Sequence, residues 1–471
     1  MPEAGPTENG KTKPEKIPFP TMLEKGPFAT YRKPTQEEGG YRNSAKHGWH
    51  SSGIFNSERV LNPKDILDPE DKIKPNDPRI LSRFRTDRDF IFQLLNVNSF
   101  PDIQKLVKEE KQKPELYRRT YGLLGKMYGL EGSEETVERK INGFAKDADG
   151  FVDYLRDEKR GIAESDTDLA IRNEITLRDN PVDLILMTLN EDYSHEIRFT
   201  AKRKLFLMNE AADEDKVTEQ IQNKLKIKEL NDDIIDKYVL NKEDEIGKAE
   251  SVWVLSEHDL NNDFICKSWE IKNERPQDHV RGQKITELRR RKFFLEGQLT
   301  SSPIQIDLRD KDKFARIAKG LRKGLENSRL AVEDDLGFLG VLEKISDVRN
   351  FEKRLRQGST SYGSGLYYED VDDHLKKGQK FTSENVGSDP NTRMRKFYAK
   401  LAGMRVEFIL HDINSYLDYQ YQRGVAHDEY EAKRLIDTGV IELLFPKVVF
   451  GRDWKDREPR IIRNVRERLE R

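Results

Sequence analysis

The sequence predicts an α+β protein: an all-α amino-terminal region followed by a mixed β-sheet flanked by helices. Three observations lead there. From about Ile80 to Glu245 apolar residues recur at helical spacing. Near Ser251 the pattern changes to β-branched and aromatic runs separated by turn-rich segments. Beyond it, short apolar runs alternate with amphipathic stretches up to about residue 450. At 471 residues the chain is too long for one ordinary core, so two or three folding units are expected.

The first 80 residues hold 11 of the 19 prolines and show almost no repeating apolar pattern, so residues 1–79 read as a disordered Pro-rich tail. Its His47-Gly-Trp-His50 offers only two ligands, too few for a metal site. Residues 80–245 read as a helical domain, with Phe90, Ile91, Leu94 and Leu95, then Leu116, Tyr117, Tyr121, Leu124, Met127 and Tyr128, at helical spacing. Asn180-Pro181 opens a helix, Glu191 to Ser194 breaks it, and a second helix runs through Ile197, Ala201, Leu205 and Met208. The pair reads as a helical hairpin with His195 exposed in the first turn of its second helix. Residues 210–250 carry 13 acidic against 7 basic side chains, an acidic connecting stretch.

Val252 to Leu255 and Phe264 to Ile271, separated by Asp259 to Asp263, read as a β-hairpin, with Cys266 a strand residue rather than a nucleophile. Further strands are expected at Lys292–Leu295, Pro303–Leu308, Gly337–Glu343, Lys396–Leu401 and Met404–Leu410. Helices are expected between them at Lys313–Leu325, Asp347–Arg356 and Asp418–Thr438. Residues 451–471, with eight basic and five acidic side chains from Arg452 onward, read as a terminal charged helix.

Composition narrows the chemistry. One cysteine excludes internal disulfides and multi-Cys zinc sites, so any metal would be held by carboxylates and His, favouring Mg²⁺. No apolar run approaches the roughly 18 residues that cross a bilayer, and Met1 to Gly10 lacks the pattern of a leader peptide, so no membrane partner and a cytoplasmic location are expected. A net charge of -2 leaves only local clusters informative. From Arg281 to Arg329 there are 14 Lys/Arg against 6 Asp/Glu. Within that stretch Arg309, Lys311, Lys313, Arg316 and Lys319 run from a strand end onto successive helical turns, an arrangement suited to polyphosphate. The competing reading is a solvated helix face. An acidic corner, Glu333-Asp334-Asp335, precedes the next strand, and Glu407 stands alone in an apolar one, where it needs a partner or a catalytic task.

Arg309-x-Lys311, Lys319, Asp334-Asp-Leu-Gly337, Val406-Glu407 and Gly424-Val-Ala426-His427-Asp-Glu-Tyr430 resemble, in order and approximate spacing, the motifs of the RelA/SpoT synthetase domain over about residues 250–450. The resemblance implies a nucleotidyltransferase-like fold for 250–450 that transfers pyrophosphate from ATP to a nucleotide hydroxyl with Mg²⁺. It implies that Arg309, Lys311 and Lys319 bind the ATP phosphates, Asp334 holds the metal, and Glu407 orients or deprotonates the attacking hydroxyl, with His427 a supporting phosphate or packing contact. Leu339, Ile409 and His411 replace polar residues of the family, and its Gly-Tyr-x-Ser-x-His acceptor segment is not recognisable between Tyr362 and Tyr398. The acceptor, nucleotide or RNA, is therefore open. No His-Asp hydrolase motif is found; His258-Asp259 falls in a hairpin turn. Two other readings stand beside the transferase: a nucleotide- or RNA-binding module without catalysis, and an interaction protein whose helical region docks a protein partner.

Overall fold

A computed structural model describes residues 67, 92, 95–108, 113–156, 162, 175–225, 250–277, 280–290, 293–295, 298–300, 305–310, 312–325, 336–361, 368–375, 391–401 and 404–471. Almost all of the expected Pro-rich tail lies outside these residues. The architecture is α+β: a run of helices precedes the first strand, and further helices lie among and after the strands.

Helices α1 (Phe100–Lys108), α2 (Lys113–Tyr128), α3 (Glu134–Arg156), α4 (Pro181–Leu189) and α5 (His195–Leu225) form the amino-terminal bundle. The helix at 181 starts as its sequence dictates: Asn180 Oδ1 accepts the N–H of Val182 at 2.8 Å, and Pro181 occupies a position whose N–H has no helical partner. The second helix of this hairpin runs well into the stretch expected to be a connector, to Leu225. Ala211 and Ala212 are buried there, so an apolar stripe continues beneath the acidic residues.

The expected hairpin is β1 (Glu250–His258) against β2 (Cys266–Lys272). A third strand, β3 (Gln283–Arg290), pairs with the other edge of β1; its buried face is Lys284, Thr286 and Leu288, so no apolar alternation marks it within the basic run. A short hairpin follows, β4 (Phe293–Leu295) with β5 (Gln298–Thr300). The main sheet contains β6 (Gln305–Asp310), β7 (Leu336–Leu342), β8 (Tyr368–Asp373), β9 (Arg395–Leu401) and β10 (Met404–Asp412), in the order β6-β7-β10-β9-β8. Only β7 and β10 run parallel, so the sheet is mixed.

Helices α6 (Lys313–Leu325) and α7 (Ile345–Ser361) follow β6 and β7. The single helix expected at 418–438 is two: α8 (Ile413–Tyr421) and α9 (His427–Asp437). Gly424 adopts a left-handed φ of 72° between them, and its N–H donates to Glu429 at 2.9 Å. Helical periodicity on both sides of the break had concealed it. Short helices α10 (Val440–Leu444) and α11 (Lys447–Phe450) lead to α12 (Trp454–Glu470). This charged terminal helix is anchored rather than wholly solvated: Trp454 is buried, and its Nε1–H donates to the Phe445 carbonyl at 2.7 Å.

One apolar core joins α3 and α5 to Ile317 and Leu321 of α6, Leu444 of α10, and Phe445 and Trp454. The α3–α6 approach needs Gly150, because a Cβ there would stand 2.8 Å from the Phe314 ring. A second core lies between the two larger sheets, where Val252, Val254 and Leu288 meet Leu339, Val341 and Ile409 together with Leu417 of α8. No helix among the described residues is long and apolar enough to cross a membrane.

Candidate functional site

Strand pairing brings two of the sequence-predicted residues into one row. Gly337 of β7 is the register partner of Arg309 on β6 and of Glu407 on β10, and Glu407 is in turn opposite Tyr398 of β9. Residues directly opposite one another share a sheet face, so these positions belong to one face. The glycine leaves the middle of the row without a side chain. β6 ends beside the start of β7, with Asp310 opposite Leu336. Positions 311 and 334 adjoin this edge in sequence, although Lys311 and Asp334 themselves lie outside the described residues.

Glu407 is 6% exposed and Lys396 4%. An isolated carboxylate at that depth would be expensive, and two donors meet it: Lys396 Nζ lies 2.9 Å from Oε1, and the Tyr398 hydroxyl donates to the same oxygen at 3.0 Å. Lys396 and Tyr398 alternate on one face of β9, which aims both at the neighbouring strand. The sequence marked Glu407 as needing a partner. It did not identify Lys396, although a Lys two residues before a Tyr in a strand was the available signal.

The basic strand–helix segment divides its charges. Asp312 Oδ1 caps α6 by accepting the N–H groups of Phe314 and Ala315 at 2.9 and 3.1 Å. Lys313 pairs with Asp147 of α3, and Arg316, 2% exposed, places Nε 2.9 Å from Glu214 of α5. Two of the basic residues therefore answer carboxylates of the bundle helices, a long-range pairing that local composition did not reveal. Lys319 is partly exposed on the same helix.

His427 stands apart from the row. At the start of α9 its ring lies 5.2 Å from that of Tyr419, itself 5.2 Å from the His411 ring. His411 is four residues further along β10 than Glu407, about 13 Å of strand. His427, Asp428 and Glu431 bring ligand atoms within 4.8 Å of one another, an arrangement that partly exposed acidic groups often adopt without a cation. Cys266 is half-buried in β2, and burial pushes its thiol up to about 12, against a role as nucleophile.

The carboxylate of the row is bound to an amine and a phenol. No known protein family, curated protein or solved structure matches the chain.

Proposed function

We propose that the main sheet is a nucleotidyltransferase-like domain of RelA/SpoT type, binding ATP at the edge where β6 ends and β7 begins and transferring pyrophosphate to a nucleotide or RNA hydroxyl. The observation that carries this reading is the common register of Arg309 and Glu407 on Gly337. In this role the Arg309 guanidinium grips phosphate oxygens in pairs, with Lys311 and Lys319 adding compact charge. The carboxylate pair Asp334-Asp335 is a hard-oxygen donor set suited to Mg²⁺, with Asp334 the proposed ligand. The metal would supply neutralisation of the phosphate charge. Glu407 takes the proton of the attacking hydroxyl on its carboxylate, and Lys396 and Tyr398 orient that group.

A second reading is favoured by the contacts at Glu407 Oε1: an amine and a phenol already engage that oxygen, a structural use of the carboxylate that suits a nucleotide-binding module without chemistry. The test separates the two. Purified protein with ATP, Mg²⁺ and a panel of GDP, GTP and RNA acceptors should release AMP, and Glu407→Gln should slow release by about 100-fold or more. ATP binding that Arg309→Ala weakens, with no AMP formed on any acceptor, would leave only the binding module. If millimolar ATP or GTP gives no thermal shift, both readings fail and the interaction protein remains.

A further inference from the structure

The three-stranded sheet has an outer face that the transferase reading does not use. Val252, Val254 and Leu288 point inward to the core shared with the main sheet, so Trp253 and Leu255 of β1 and Ile285 of β3 lie on the opposite side. An antiparallel sheet with one face on a core ordinarily turns polar residues outward on the other. Here the centre of that face is apolar. Leu255 and Ile285 are register partners, and the three side chains are half-buried within a rim of exposed Glu257, Glu270, Glu287 and Arg289. The Arg275 guanidinium lies over the Trp253 ring, 5.3 Å from its centroid. Trp and Arg are among the side chains on which contacts between proteins most often depend.

We propose that this face is the contact between two copies of the chain, packed sheet on sheet about a two-fold axis along β1. The charges carry the argument. Trp253 has Lys272 opposite it on β2 and Glu287 opposite it on β3, so one rung holds a cation on one side of the ring and an anion on the other. A two-fold along the central strand carries β2 of each copy over β3 of its mate and keeps every residue at its own level. Lys272 of each copy then faces Glu287 of the other, two ion pairs made by one symmetry operation. On the axis Trp253 meets Trp253 and Leu255 meets Leu255, and the strands of the two sheets stay aligned, as face-to-face sheet packing favours. Around Trp253 the cations Lys272 and Arg275 balance Glu270 and Glu287, so the patch carries no net charge to repel a copy of itself. A polyanion gains little from cations matched in this way. Lys272 lies 2.7 Å from Glu270 of its own strand, with 43% and 56% of the two side chains exposed. Such a pair contributes little, so Lys272 can exchange to a better shielded carboxylate.

Sedimentation of the full chain at about 50 μM should give a particle of twice the chain mass. Trp253→Ala, a change on the side away from the core, should leave the far-UV circular dichroism unaltered and weaken the dimer by about tenfold or more. Lys272→Glu and Glu287→Lys should each weaken it by about tenfold, and the two together in one chain should restore it, because the same pairs form again with their signs exchanged. A wild-type chain that stays monomeric at that concentration overturns the proposal, the face then belonging to another partner. So does a dimer that Trp253→Ala leaves intact, and so does a double charge variant that associates no more tightly than either single one.

Discussion

The two faces of the main sheet differ sharply one residue apart along the same strands. On one face Phe338, Phe397 and Phe408 stack across three strands, with ring centroids 4.7 and 4.8 Å apart and exposures of 0–1%. Phe351 of α7 closes over Phe338. On the other face, in the adjacent row, stand Arg309, Gly337, Glu407 and Tyr398, with Lys396 reaching across. The contrast separates two tasks. Dispersion and burial on the aromatic face hold the strands in register, and that register sets the spacing of the polar groups on the opposite face. The polar row is thereby free to carry charge, provided that every buried charge in it has a partner.

The largest effect expected from breaking this contrast is on the aromatic face. Phe408→Ala removes a ring packed between two others and should cost about 3–5 kcal/mol of unfolding free energy, read as a lowered urea midpoint. A loss below about 1 kcal/mol would mean that the stack does not hold the register. Next is the buried pair. Lys396→Met leaves the Glu407 carboxylate without its cation and should cost about 3 kcal/mol, while adding Glu407→Leu should restore most of that loss. Failure of the double variant to recover would place the destabilisation in packing rather than charge. The smallest effect concerns the three-stranded sheet lying over the polar face. Burial depresses the His258 pKa below its ordinary value, so its contribution is present above about pH 6.5 and is lost as pH falls from there through the lowered folded value. Stability curves of wild type and His258→Gln should therefore converge between pH 7 and 5; parallel curves would show that the imidazole titrates alike in the folded and unfolded chain.

Local pattern made much of the fold legible. The β1–β2 hairpin, α6, and the cores of β7, β9 and β10 follow from alternation or helical spacing within a few residues. The break at Gly424 was hidden because one left-handed residue interrupts two segments of the same period. β3 was hidden because two of its three buried positions, Lys284 and Thr286, are polar, so hydrophobicity alone understated it. The row was legible only as a list of motif residues; its geometry depends on pairing between strand positions about 30 and 70 residues apart, Arg309 with Gly337 and Gly337 with Glu407. The fate of Lys313 and Arg316 was beyond local reading for the same reason, since their carboxylate partners lie in helices that precede them by 166 and 102 residues.

The shared apolar core has a practical consequence for truncation. Ile317, Leu321, Leu444 and Phe445 reach back from the second half of the chain to fill the bundle. A fragment cut near residue 245 would bare the greasy seat those side chains occupy. Dissection at that point would yield sticky, self-associating material rather than a tidy module, and any shortened form meant to stay in solution must keep the final helices.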